Sequence, residues 1–247
     1  MAELHLLGTG AALSDGTRTT TMLAVESERS ALLVDCGGDA IHRLQAAGVA
    51  PGELEALLLT HRHPDHVAGF PLLVEKLWLS GRSDPLPVYG PESALEQVQR
   101  CFSTFDTTGW TDLFELEWHP IPLEERHLVL ENDTWRCLTS PGLHGELDVV
   151  GIRFERGARS CTYSADTEPS EAIARLAEGS GILVHEATDQ PNHSSPEAAG
   201  RIAAEAEAER LVLVHLPPES SPSDLDRVRP EFDGPIYLGR DGDSFRW

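Results

Sequence analysis

Apolar positions along the chain fall into short runs bounded by glycine, serine or charge, interleaved with segments of helical period. "ELHLLG", "TTMLAVES" and "SALLVDCG" are short, apolar and punctuated, which predicts three strands at the start. "DAIHRLQAAG" predicts a short helix ending at Gly48. "LEALLLT" reads as a buried strand, "HVAGFPLLVEKLWLSG" as a helix beginning near His66, "PLPVYGP" as a strand and "ESALEQVQRCFSTF" as a helix. From Leu113 to about Thr167 the text is strand-like again, in "LFELEWHPI", "HLVLEND", "TWRCLTS", "DVVGIRFE" and "RSCTYSAD". Helix "PSEAIARLAEG", strand "GILVHEAT", helix "PEAAGRIAAEAEAE", strand "RLVLVHL" and a short final helix in "PSDLDRVRPEF" follow. There is no repeat and no long linker. The order β-rich, β/α, β-rich, β/α predicts two similar halves, each a sheet covered by helices, packed sheet on sheet.

Composition narrows the function. The chain has 247 residues, 19 Lys plus Arg against 41 acids, and a net charge of −22. That balance argues against a broad phosphate-backbone footprint, which draws on clustered Lys and Arg. Cys36, Cys101, Cys137 and Cys161 are scattered without a CxxC pair, so free thiols in a reducing compartment are expected. No signal-peptide pattern opens the chain, and no apolar stretch reaches the ~20 residues of a membrane span. The expectation is a cytoplasmic protein with no membrane partner.

The chemistry concentrates in "THRHPDHVAG", where His61, His63, Asp65 and His66 occupy six consecutive positions although the chain has only 11 histidines. Composition alone would place such a cluster roughly once in 700 chains of this length. The cluster sits at the C-terminal end of a predicted strand, and other strands end similarly. Asp166 closes "SCTYSAD", His215 closes "RLVLVH", and His144 lies in the turn after "TWRCLTS". Taken singly, each has an ordinary reading as a helix cap or a hydrogen-bonded bystander. Together they have the right chemistry for divalent metal, since neutral imidazole and carboxylate are good ligands for zinc and similar ions. His61 and His63 can reach one ion from one loop, while Asp65 and His66 can turn to a second. Distant residues must then complete two coordination spheres, and His144, Asp166 and His215 meet that need.

With these pieces in place the sequence resembles the metallo-β-lactamase superfamily, and within it the ribonuclease Z-like branch. The resemblance is carried by "LLGTGAALSDGTRTTTMLAVE", "LLVDCGGDA", "LLLTHRHPDHVAGFPLL", "TYSADTEPSEAI" and "LVHEATDQPNHSSPEAAGRIAAEAEAERLVLVHL". It implies a four-layer αββα sandwich formed by residues 1–247 as one domain, with a two-metal site at one edge of the sheets. His61, His63 and His144 would hold the first ion and Asp65, His66 and His215 the second, with Asp166 between them. The ions would be Zn2+, with Mn2+ or Fe2+ as alternatives. Asp35 would brace the ligand loop, and Asp65 would also orient the attacking water. Glu186 and His193 match positions that assist proton transfer at the leaving group. His185 reads as a residue that braces the site region.

The resemblance has one departure. Ribonuclease Z of bacteria carries a long tRNA-gripping arm between the third ligand segment and the bridging aspartate. Here His144 and Asp166 are 22 residues apart, which fits two strands and a turn. Small phosphodiesters or nucleotides are therefore the expected substrates, and structured RNA is not. A carbonyl-directed hydrolase (a lactonase or thioesterase), a tRNA 3′ endonuclease and a non-catalytic metal-stabilised binding protein are the alternatives. A homodimer is compatible with the sequence.

Overall fold

The computed structural model describes residues 1–247. Its first half begins with the antiparallel strands β1 (Glu3–Gly8), β2 (Met22–Ser27) and β3 (Ser30–Val34). Helix α1 (Ala40–Ala46) leads to β4 (Leu54–Leu58), then α2 (Pro64–Val67), α3 (Phe70–Leu79), β5 (Leu86–Gly90), α4 (Glu92–Phe102) and β6 (Leu116–Pro120). The second half runs β7 (His127–Glu131), β8 (Arg136–Pro141), β9 (Val150–Arg156), β10 (Arg159–Tyr163), α5 (Glu171–Ala177), β11 (Ile182–Glu186), α6 (Pro196–Glu205), β12 (Leu211–Val214) and α7 (Ser223–Val228). Two short strands, β13 (Ile236–Leu238) and β14 (Ser244–Arg246), close the chain.

Two seven-stranded sheets result, ordered β14-β1-β2-β3-β4-β5-β6 and β13-β12-β11-β10-β9-β8-β7. Alternation along the strands explains why they stack. In β3, Leu32 and Val34 face the second sheet, where they join Phe154, Tyr163, Val184 and Val214 in one core. Leu33, between them, points the other way and packs with Leu44, Phe70 and Val74 from the helices. On the far side, Leu183, Leu211 and Leu213 pack with Ala199, Ala203 and Val228. Helices, sheet, sheet and helices make the four-layer αββα sandwich.

Three local results differ from the sequence pattern. The helix expected from His66 onward is two helices, broken at Ala68–Gly69, because Gly69 N–H bonds Cys36 O at 2.8 Å instead of continuing the helical ladder. β13 and β14 were not anticipated. Each has three residues, none fully buried, and so carries almost no hydrophobic signal. The strand text "LFELEWHPI" yields a strand only from Leu116 onward. No helix is long and apolar enough to cross a membrane.

Candidate metal centre

The C-terminal ends of β3, β4, β8, β10, β11 and β12 meet at one edge of the sandwich and carry Asp35, the His61–His66 loop, His144, Asp166, Glu186 and His215. Three of these strand ends turn sharply, with positive φ at Asp35 (59°), Ala165 (55°) and His215 (54°). Non-glycine residues reach this region only where the surroundings hold them there. The ligand loop is also fixed by its neighbour: Cys36 N–H bonds His66 O at 2.7 Å. A Cβ on Gly37 would run into the Asp65 carbonyl, so only glycine allows the two loops this approach.

His61 Nε2 and His144 Nε2 lie 3.0 Å and 3.2 Å from His63 Nδ1. Across from them, Asp166 Oδ2 sits 3.4 Å from His66 Nε2 and 3.3 Å from His215 Nε2, and Asp65 Oδ2 is 3.5 Å and 3.4 Å from the same two nitrogens. His61, His63, His144 and Asp166 thus form one group of donors and Asp65, His66 and His215 another, each spanning no more than 4.8 Å. Asp166 also falls within that range of His193 and His215, so it stands between the groups.

Hydrogen bonding decides which atoms are free to bind. Thr60 Oγ1 donates to Asp35 Oδ2 at 2.8 Å, so towards His61 Nδ1, 3.0 Å away, it can only accept. His61 Nδ1 therefore carries the proton and Nε2 is bare. Thr188 Oγ1 donates to His215 O at 2.8 Å and accepts from His215 Nδ1 at 2.7 Å, which leaves His215 Nε2 bare. His144 Nδ1 donates to Asn192 O at 2.8 Å, with the same result, and His66 Nδ1 donates to Asp35 Oδ2 at 2.7 Å. Four buried imidazoles, each with Nδ1 engaged as donor, aim Nε2 into one cavity. His66 Nε2 and Asp166 Oδ1 are buried there without any hydrogen-bond partner. Lone pairs converging from imidazole and carboxylate are an unfavourable arrangement for protein alone and a suitable one for divalent cations.

Electrostatics show the same pull for positive charge: burial opposes protonation of His66, but Asp166 and Asp35 outweigh it and push the imidazole well above the ordinary histidine range, so without a cation its Nε2 holds a proton. Burial and the neighbouring His66 hold His61 well below the ordinary histidine range. Burial opposes ionisation of Asp166, but His215 and His66 outweigh it and keep the carboxyl well below the usual carboxylate range. Asp65 is likewise drawn down to about 2, burial being outweighed by His215 and His66.

Beside this cluster, Glu186 is fully buried, and its Oε1 accepts from His193 Nδ1 at 2.8 Å, Thr167 N–H at 3.0 Å and Ser194 N–H at 3.1 Å. Its Oε2 accepts from Thr188 N–H at 3.0 Å. The His193 ring sits 4.6 Å from that of His144 and 5.4 Å from that of His215, measured between centroids. Burial lowers the His193 pKa, but the bond to Glu186 more than offsets this and the protonated form is favoured.

Every residue singled out in the sequence lies at this edge except His185, whose buried Nδ1 donates to Glu186 O at 2.8 Å and braces that strand's backbone instead of a ligand. Sequence reasoning missed Thr60, Thr167 and Thr188, which set histidine tautomers or tie the loops together. Each directly follows or adjoins a singled-out segment ("THRH", "SADT", "HEAT"), but nothing in the letters marks its hydroxyl as engaged.

Residues 31–216 match the family model described as Beta-lactamase superfamily domain. A ribonuclease Z from Mycobacterium sp. (strain KMS) is 33% identical over 272 residues, spanning 98% of this chain and 94% of that protein. The metallo-beta-lactamase fold protein YhfI from Bacillus subtilis superposes with a TM-score of 0.83 at 23% identity, covering 99% of this chain and 98% of that one. The short form of human tRNase Z does so at 0.81 and 22%, covering 99% and 98%.

Proposed function

The chain belongs to the β-lactamase superfamily, in its ribonuclease Z-like branch, and from that membership we propose that it is a binuclear metal-dependent hydrolase acting on small phosphodiesters or nucleotides. His61, His63 and His144 would hold one ion and Asp65, His66 and His215 the other, with Asp166 shared. The mixed nitrogen and oxygen donor set suits Zn2+, and Mn2+ or Fe2+ would also fit it. When bound, two such ions supply Lewis acidity, which makes water a nucleophile near neutral pH and neutralises charge at phosphorus.

The residues do the rest. Asp65, part-exposed at the mouth and ionised, would orient the water for attack. As the new P–O bond forms, the bond to the departing alkoxide breaks, and that oxygen needs a proton. His193 would give it from Nε2, since Nδ1 is tied to Glu186. This Glu186–His193 pair is the observation that carries the reading. A buried carboxylate held by three backbone N–H groups and orienting one half-buried imidazole suits a strongly basic leaving group.

A second reading, tRNA 3′ endonuclease, is favoured by the name of the curated relatives. Against it, only β9, a turn at Gly157–Ala158 and β10 separate the His144 loop from Asp166, and the surface is strongly acidic. Lactone or thioester hydrolysis would use the same metal-binding residues but has less need of His193. Assay of the metal-reconstituted protein on bis(4-nitrophenyl) phosphate, a lactone and a thioester tests the proposal. Turnover of the phosphodiester should exceed both others, and a lactone or thioester hydrolysed faster would replace it with the carbonyl reading.

A further inference from the structure

The two sides of the centre differ in charge. On the His63 side a cavity of about 430 Å³ is lined by Arg62, His63, Pro64, Gln97, Cys101 and Leu147 among others, with no acid in its wall. On the His193 side a cavity of about 360 Å³ is lined by Leu13, Pro217, Gln190 and Glu219 beside His193 and His215, with no Lys or Arg in its wall. Arg62 is exposed, and its guanidinium makes no hydrogen bond or ion pair. Arg100, Arg159 and Arg240 are likewise without a side-chain partner, but only Arg62 lies within the donor loop, between His61 and His63. Most other cations are engaged, among them Arg18 with Asp15, Arg43 with Asp241, Lys76 with Asp39, and Arg227 with Glu197 and Asp189. A free guanidinium next to a ligand histidine keeps five donors open for an oxyanion, in a fork that matches phosphate.

Resting on the phosphodiesterase reading above, we propose that Arg62 is a specificity residue that binds a second anionic group, of phosphate class, on the non-leaving side of the substrate. The proton donor His193 places the leaving group in the cavity with Leu13 and Glu219. Glu219 is the one acid in that wall and disfavours a further anionic group on the leaving side. The other substituent extends past His63, where Arg62 is the one charge it meets. Beyond Arg62, sharing Ala68 and Cys101, lies another cavity of about 410 Å³ bordered by Leu72, Phe105 and Trp110 and by the acids Glu75 and Asp106, so the anionic group stops at Arg62 and only an uncharged remainder, such as a nucleoside, goes further. The substrate class is an asymmetric phosphodiester, with a second anionic group on the retained side and none on the departing side.

The test compares two chromogenic esters with the same leaving group, the 5′-(4-nitrophenyl) ester of thymidine 3′,5′-bisphosphate and that of thymidine 5′-monophosphate. With its full metal complement the wild-type protein should show a KM about tenfold lower for the bisphosphate ester, a preference that shrinks with added salt because the guanidinium is exposed. Arg62→Gln should abolish the preference and Arg62→Lys should keep part of it. Calorimetric binding of thymidine 3′,5′-bisphosphate and thymidine 5′-monophosphate should follow the same order in wild type, with the difference lost in Arg62→Gln. If wild type cleaves neither ester, the phosphodiesterase reading itself fails. If it cleaves both with equal KM, or if Arg62→Gln keeps the preference, the site reading stands and the role of Arg62 is overturned.

Discussion

The Nδ1 proton of His66 points at Asp35 Oδ2 across 2.7 Å, and neither side chain reaches solvent. The same carboxylate takes the Thr60 hydroxyl on Oδ2 and the Thr60 N–H on Oδ1, both at 2.8 Å. Through Thr60 it also fixes the tautomer of His61. One carboxylate thus sets a nitrogen in each donor group. Asp35→Asn keeps the shape and removes the charge, and a side-chain amide facing these donors must leave at least one unpaired. The expected outcome is a 10–100-fold loss of metal affinity, the range typical of partners behind ligating histidines, measured by chelator competition. Unchanged affinity at both ions would show that Asp35 only closes a turn.

Metal removal should be felt in stability as well as activity. Without cations, bare imidazole nitrogens and two carboxylates converge in a buried cavity, and ions bound only by the folded state stabilise it by mass action. Elemental analysis of reconstituted protein should approach two ions per chain, and exhaustive chelation should lower the melting temperature. His63→Ala, which deletes the one donor approached by both His61 and His144, should lose metal and turnover together. A firm ceiling of one ion per chain would remove the second donor group from the proposal.

Proton transfer separates from metal binding at His193. His193→Ala should retain both ions and lose about 10²–10⁴-fold in turnover on an alkyl phosphodiester. Glu186→Gln should show a smaller loss, since the imidazole remains but its orientation and charge support weaken. Both losses should shrink on a 4-nitrophenyl ester, whose leaving group hardly needs a proton. Equal losses on alkyl and aryl esters would point to substrate positioning instead.

Gly37 tests the contact between the two loops. Gly37→Ala drives a methyl into the Asp65 carbonyl, and neither backbone can yield without moving a donor. Overpacking of this kind costs about 1–3 kcal/mol. Urea denaturation should show that loss, and the shifted Asp65 should weaken binding of the ion held with His215. Wild-type stability would mean that the loops separate easily.

The layered fold was legible because "SALLVDCG" and "LEALLLT" carry unbroken apolar runs, Ala31–Val34 and Ala56–Leu59, as expected of a sheet covered on both faces. The donor residues were legible because each ends such a strand, where the scaffold is rigid. The break at Gly69 was not, since it comes from a bond to Cys36, distant in sequence. Nor were Thr60 and Thr188, whose importance lies in which way a hydroxyl proton points. That direction depends on Asp35 and on the His215 carbonyl, and the chain meets both only after folding.

Substrate size follows from charge and topology together. Holding a folded tRNA draws on cationic surface, and counterion release makes that grip steeply salt-dependent. Here acids outnumber bases 41 to 19, and β9 and β10 turn directly between the His144 loop and Asp166. Long-range repulsion should slow approach of a polyanion, most strongly at low salt. A small diester needs only local attraction at the ions and at Arg62. The expected result is a kcat/KM for a small phosphodiester well above that for precursor tRNA in matched salt and metal, with tRNA cleavage improving as salt rises from low values. Efficient 3′ cleavage of precursor tRNA, weakening steeply with salt, would restore the activity named in the curated relatives and show that the chain grips RNA through a surface other than an arm.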